Sequence, residues 1–105
     1  IVVIEGLFVF NNPSVNALLD LKIFVDTSEH LRLSRRIRRD AAERGYGLEE
    51  VLGYYERFVV PMYRQHIEPF RQECDLVIPN DRHMEQATTV LLDHLEAVLR
   101  RRGVI

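Results

Sequence analysis

Short apolar runs and longer amphipathic stretches alternate along this chain of 105 residues. Residues 1–4 (IVVI) form a β-branched run closed by Glu5 and Gly6, the pattern of a buried parallel strand followed by a loop. Residues 7–10 stay apolar until Asn11, Asn12, Pro13 and Ser14 interrupt them, and Ser14 is placed to cap a short helix over 15–20. Residues 21–25 (LKIFV) read as a second strand, stopped by Asp26, Thr27 and Ser28. Residues 76–78 read as a third, with Asp75 before it and Pro79, Asn80 and Asp81 after it.

Between the second and third strands the apolar period lengthens to that of a helix. Thr27 or Ser28 caps a helix that carries Glu29 in its first turn, where the helix dipole favours an acid, and that stops at Gly45. Leu33, Ile37 and Ala41 share one of its faces, fit for packing on a core. Gly45, Tyr46 and Gly47 have the backbone freedom of a hinge or mobile loop. A further helix begins near Leu48 and carries Val51, Leu52, Tyr55, Phe58 and Val59 at helical spacing. Pro61 must kink or break it, since proline lacks the amide donor and clashes with the preceding turn, and residues 63–67 resume it until Pro69. Tyr54, Tyr55, Phe58, Tyr63 and Phe70 read as packing residues. Residues 84–102 form a final amphipathic helix, with Ala87, Val90, Leu91, His94, Leu95, Val98 and Leu99 on its apolar side.

Strands separated by helices imply an α/β fold, a parallel sheet with flanking helices in three layers. Ligands of such sheets bind at the carboxyl ends of the strands. The loops at Glu5 and Gly6, at Asp26 to Ser28, and at Pro79 to Asp81 should therefore lie together.

Composition narrows this picture. The length allows one domain, residues 1–105, and 47% hydrophobic with 29% charged residues is ordinary for a globular protein. A net charge of −2 argues against general nucleic-acid binding. No apolar run approaches the roughly 18 residues of a membrane span. Cys74 is the only cysteine, which excludes an internal disulfide or a zinc cluster and suits a reducing, cytoplasmic setting. It reads as a small buried hydrophobe rather than a nucleophile. His30, His66, His83 and His94 are too scattered for a metal cluster. The chain opens directly in IVVI with no methionine and no basic stretch, which is not a signal peptide, and the expectation is a piece of a longer chain.

The arginines carry the candidate chemistry. Six of thirteen fall between Arg32 and Arg44. At about 100° per residue, Arg32, Arg35, Arg36 and Arg39 share one arc of the helix. Guanidiniums so placed repel one another unless an anion comes to them, and arginine grips phosphate oxygens with a fork of donors it cannot deprotonate. The alternative is a solvated face laced with ion pairs, Asp40 being spaced i+4 from Arg36 and Glu43 i+4 from Arg39. Glu43, Arg44 and Gly45 favour the phosphate reading, because an arginine helix ending at a glycine hinge fits a lid over a nucleotide, here at about residues 32–47. Glu5 after the first strand is placed to reach a magnesium ion or its waters, or is simply a loop carboxylate. No GxxxxGK[ST] phosphate loop occurs in the chain.

IVVIEGLFVF, DLKIFVDT, RLSRRIRRDAAERG and CDLVIPND together resemble the C-terminal half of the uridine kinase family, which belongs with the phosphoribulokinases among P-loop kinases. The arginine block is the most specific of these motifs. The resemblance implies a P-loop NTPase-like fold lacking its phosphate-loop half, and transfer of the γ-phosphoryl of ATP, with Mg2+, to the 5′-hydroxyl of uridine or cytidine in pyrimidine salvage. By resemblance, Glu5 sits near the magnesium ion, and Arg36 faces the acceptor hydroxyl and the transferred phosphate. Arg39 and Arg44 hold ATP phosphates from the lid, and the loop at Pro79 and Asn80 runs close to adenine. The family's phosphate loop and catalytic aspartate precede the segment matched here, so this chain alone is expected to be inactive. Partners are ATP and a small hydroxyl-bearing acceptor, with no nucleic acid or membrane, and a homo-oligomer is compatible with the motifs.

Two positions depart from the pattern. Tyr46 stands where pyrimidine nucleoside kinases carry an arginine that helps hold the nucleoside, and Tyr54 stands where they carry a glutamine. Both are candidate acceptor-binding residues. ERG followed by an aromatic is nearer to phosphoribulokinases, so a sugar-phosphate kinase stays open beside uridine kinase, as does a non-catalytic nucleotide-binding domain.

Overall fold

The structure, a computed structural model, describes all residues from Ile1 to Ile105. Its centre is a pair of parallel strands, β1 (Ile23–Asp26) and β2 (Leu76–Pro79), in register from Ile23 opposite Leu76 to Asp26 opposite Pro79. Between them run α2 (Glu29–Arg44), α3 (Leu48–Tyr54), a π-helical turn (Tyr55–Val59), α4 (Val60–His66) and a 3-10 segment (Glu68–Glu73). A short α1 (Pro13–Asn16) precedes β1, and α5 (Glu85–Arg101) follows β2. The α/β class and the parallel pairing agree with the sequence.

The sheet has two strands, not three. Residues 1–4 form no strand: a strand needs a neighbour for its amides and carbonyls, and β1 and β2 pair only with each other. Ile1, Val2 and Val3 are 73%, 88% and 82% exposed, and Glu5 consequently follows an open extended segment rather than a strand end. The layer on either side of the sheet is correspondingly thin. Phe24, Val51, Tyr55 and Ile67 are the buried hydrophobic residues. The body is elongated, 54 × 30 × 22 Å, with a radius of gyration of 16.9 Å, against about 13 Å for a compact domain of this length. Its accessible surface of 8272 Å² likewise exceeds the roughly 6,100 Å² of a folded monomer of this mass.

Three local corrections have clear causes. Asn12, not Ser14, caps α1: its side-chain oxygen accepts from the amides of Ser14 and Val15, and Pro13 takes the first helical position, where a missing N–H is harmless. The helix starts earlier than expected for that reason, and ends at Asn16. Pro61 does not break its helix. The Val60 amide reaches back five residues to the Tyr55 carbonyl, and this wider turn accommodates the proline ring, so one helical rod runs over residues 48–66. His94 is exposed rather than buried in the core, although it shares a helix face with Leu91, Leu95 and Val98.

Candidate functional site

The arginine helix packs against α3, and it does so with the charged face. Asp40 is the only buried residue of α2, while Leu33 and Ile37 are half-buried and Ala41 is exposed. This reverses the sequence expectation for that helix. The row Arg32, Arg36, Asp40 turns toward α3 and α4 because tyrosines there provide flat apolar partners for guanidinium groups. Arg32 lies 3.8 Å over the Tyr63 ring and donates to the Thr27 carbonyl at 3.2 Å. Arg36 lies 5.8 Å from the centre of the Tyr54 ring, within reach of a cation–π attraction. Burial raises the Tyr63 hydroxyl above its ordinary pKa, with Arg32 acting in the opposite sense.

Asp40 is the hub of the site. Its carboxylate lies 3.7 Å from Arg36 Nε, 3.4 Å from Arg39 Nε and 3.7 Å from Arg44 Nη1. The Arg36 contact is too long to be a hydrogen bond, and its Nε–H is buried with no partner. Arg39 donates from both Nε and an Nη to one oxygen of Asp40. Thus the i+4 pair of Arg36 and Asp40 forms, whereas Glu43 makes no ion pair. Three cations on one carboxylate leave two positive charges uncompensated on this face. That charge and the orphaned Arg36 donor fit a phosphate chain, which offers several anionic acceptors together.

The hinge grows from the same residue. Gly45 adopts a left-handed φ of 67° and ends α2, a conformation that glycine alone takes without steric cost. The amide of Tyr46, the next residue, returns to the Asp40 carbonyl at 3.2 Å. Tyr46 and Tyr54 are both exposed beside this cluster, Tyr54 with its ring 5.1 Å from that of Phe58.

Asn80 is joined to α2 from the other end. Its amide donates to the Asp26 carbonyl at 2.7 Å, and Arg35 donates to the carbonyls of Asn80 and Asp81 at 3.0 and 3.3 Å. Asp81 accepts the amide and the hydroxyl of Ser28 at 2.8 and 2.9 Å. These bonds hold the Asp81 carboxyl below its usual pKa, the Ser28 amide contributing most. The loops after β1 and β2 therefore meet as expected, and Arg71, 3.1 Å from Asp26, braces the first of them. No three His, Cys, Asp or Glu side chains converge anywhere on a metal-sized site, and Glu5 stands as a single carboxylate.

Sequence reasoning ranked Arg36, Arg39 and Arg44 but passed over what organises them. Asp40 appeared only as an ion-pair partner, although its spacing to both Arg36 and Arg44 is i±4. Arg35 appeared only as part of an arc. The Ser28–Asp81 pair spans 53 residues and has no local signal.

The chain is thus a parallel α/β segment whose arginine helix leads to a glycine hinge. Residues 1–88 match the family model of the phosphoribulokinase / uridine kinase family, and the chain belongs to that family. It is 39% identical over 102 residues to the uridine kinase of Ligilactobacillus salivarius, covering 97% of this chain and 48% of that protein. It is 38% identical over 99 residues to uridine kinase-like protein 5 of Arabidopsis thaliana, covering 94% of this chain and 21% of the relative. Uridine-cytidine kinase A of Dictyostelium discoideum is 36% identical over 103 residues, 98% of this chain and 21% of its own length. The chain thus spans about half the length of the bacterial relatives and about a fifth of the longer ones.

Proposed function

We propose that this chain is the C-terminal part of a P-loop kinase domain that moves the γ-phosphoryl of ATP to the 5′-hydroxyl of uridine or cytidine. The observation that carries this reading is the fan of Arg36, Arg39 and Arg44 around Asp40, with two positive charges to spare beside a glycine hinge. Residues 32–47 act as the lid. Arg39 and Arg44 grip the ATP phosphates, and Arg36 faces the acceptor oxygen and the phosphoryl in flight. The bond from the γ-phosphorus to the bridging oxygen breaks, a bond to the acceptor oxygen forms, and ADP leaves. The guanidiniums stabilise charge spread over the phosphoryl oxygens, where positioning and electrostatics supply most of the catalysis. Arg35 and the Ser28–Asp81 pair hold the Asn80 loop at the adenine. Glu5 would offer its carboxylate to a magnesium ion brought in with ATP, and Tyr46 and Tyr54 border the acceptor. The acidic net charge supports small-molecule partners over nucleic acid, and the single half-buried Cys74 supports a cytoplasmic setting.

A second acceptor is favoured by Tyr46 and Tyr54: two exposed aromatics replace an arginine and a glutamine, which suits a sugar-phosphate kinase of the same family. Assaying the full-length gene product with ATP against uridine, cytidine and ribulose 5-phosphate separates the two. Turnover of the nucleosides is expected. Phosphorylation of the sugar phosphate alone would shift the reading to the second acceptor, and no turnover of any acceptor would refute both.

A further inference from the structure

Arg36, Arg39 and Arg44 have one anion in common, and it belongs to the protein. Asp40 is 5% exposed, and its carboxylate touches only these guanidiniums. Burying a carboxylate is costly unless cations and donors surround it, and removing its partners leaves an uncompensated charge. Yet none of the three contacts is tight. They measure 3.4 to 3.7 Å, against about 2.7–2.9 Å for a well-formed charge-assisted hydrogen bond. Two carboxylate oxygens cannot satisfy three forked donors, and the unpartnered Arg36 Nε–H is the visible remainder. Meanwhile the Asp40 backbone carbonyl receives the amide of Tyr46, the residue after Gly45. One residue therefore fixes the arginine fan through its side chain and the hinge through its backbone.

We propose that Asp40 is a positioning residue, an internal counterion that gathers the three arginines loosely and yields them to a polyphosphate chain. This rests on the reading of that face as a phosphate site. The consequence has a sign that a merely structural role does not share. The carboxylate and an incoming phosphate compete for the same donors, so removing the carboxylate charge strengthens polyphosphate binding. The same change frees the arginines from a common origin, so the reacting phosphoryl is held less well and turnover falls.

The test uses the full-length gene product, titrated with inorganic tripolyphosphate without metal and assayed for ATP-dependent turnover. Asp40→Asn is expected to bind tripolyphosphate about tenfold more tightly, the scale of one unit charge removed at close range, while kcat falls by at least about tenfold. Asp40→Glu keeps the charge on a longer stem, so its tripolyphosphate affinity stays within about twofold of wild type and its kcat is intermediate. Weaker or unchanged tripolyphosphate binding by folded Asp40→Asn overturns the proposal. If circular dichroism shows Asp40→Asn unfolded, Asp40→Glu decides, and a larger loss of affinity in that variant overturns it. Arg39→Ala in the same titration reports on the phosphate site itself. Loss of binding there with the wrong sign for Asp40→Asn sinks the counterion alone, whereas no binding by wild type sinks both.

Discussion

Ser28 gives both its amide and its hydroxyl to the carboxylate of Asp81, at 2.8 and 2.9 Å. The residue in the N-cap position of α2 makes no side-chain cap to its own helix; it serves instead the loop that follows β2. The start of the arginine helix and the Asn80 loop are thereby one unit, and Arg35 closes it from the next turn.

The Ser28 bonds stabilise the charged form of Asp81 and lower its pKa, so folding favours the carboxylate. The contribution is complete above the pKa Asp81 has when unfolded. It is lost as pH falls through the lower folded value. The Ser28 amide proton signal should therefore titrate with a midpoint below the ordinary carboxylate range. Asp81→Asn should abolish that titration, and a midpoint at or above the ordinary range would contradict the pairing.

Arg35 spans two carbonyls with one guanidinium. Arg35→Ala should release the loop at residues 79–81, read as faster amide exchange at Asn80, and raise KM for ATP about three- to tenfold, the scale of one charge-assisted contact. Arg35→Lys should restore little, because an ammonium lacks the planar fork that reaches both oxygens.

Gly45 and Gly47 flank Tyr46 but differ in backbone conformation. Nothing lies within 4 Å of a Cβ at either position, and only Gly45 has positive φ. Gly45→Ala should cost about 1–2 kcal/mol from the left-handed conformation alone. Gly47→Ala meets neither obstacle and should leave the thermal midpoint of the full-length protein nearly unchanged. Equal losses at both sites would contradict the assignment of the Gly45 cost to its left-handed backbone.

Burial, followed by the charge of Asp75, raises the Cys74 thiol pKa. The thiolate is the reactive species, so Cys74 should react with a disulfide reagent at pH 8 several-fold more slowly than free cysteine. Denaturation should remove the difference.

How much of this the sequence held depends on the range of each interaction. The arginine helix, its end at Gly45, the two paired strands and the last helix are written in local periodicity and punctuation, and each was legible. The run at residues 1–4 has strand composition, but a strand exists only through a partner, and none pairs with it. On α2 the period correctly separated Leu33 and Ile37 from Arg32, Arg36 and Asp40. Which of the two faces packs was decided by Tyr54 and Tyr63, distant in sequence, whose rings accept guanidiniums. At Pro61 the regular α-helix gives way to a π turn rather than to a break, an outcome set by one backbone bond rather than by residue type. Of the site, Arg36, Arg39 and Arg44 do converge. Their counterion and the Ser28–Asp81 link required the fold.

The central claim is that the arginine face of α2 holds the phosphates of ATP. It is tested most directly by titrating ATP into the full-length gene product carrying Arg39→Ala and Arg44→Ala together, beside wild type. Two lost charge-assisted contacts predict at least about a tenfold loss of ATP affinity, with uridine affinity preserved. Unchanged ATP affinity in the folded double variant would contradict the account.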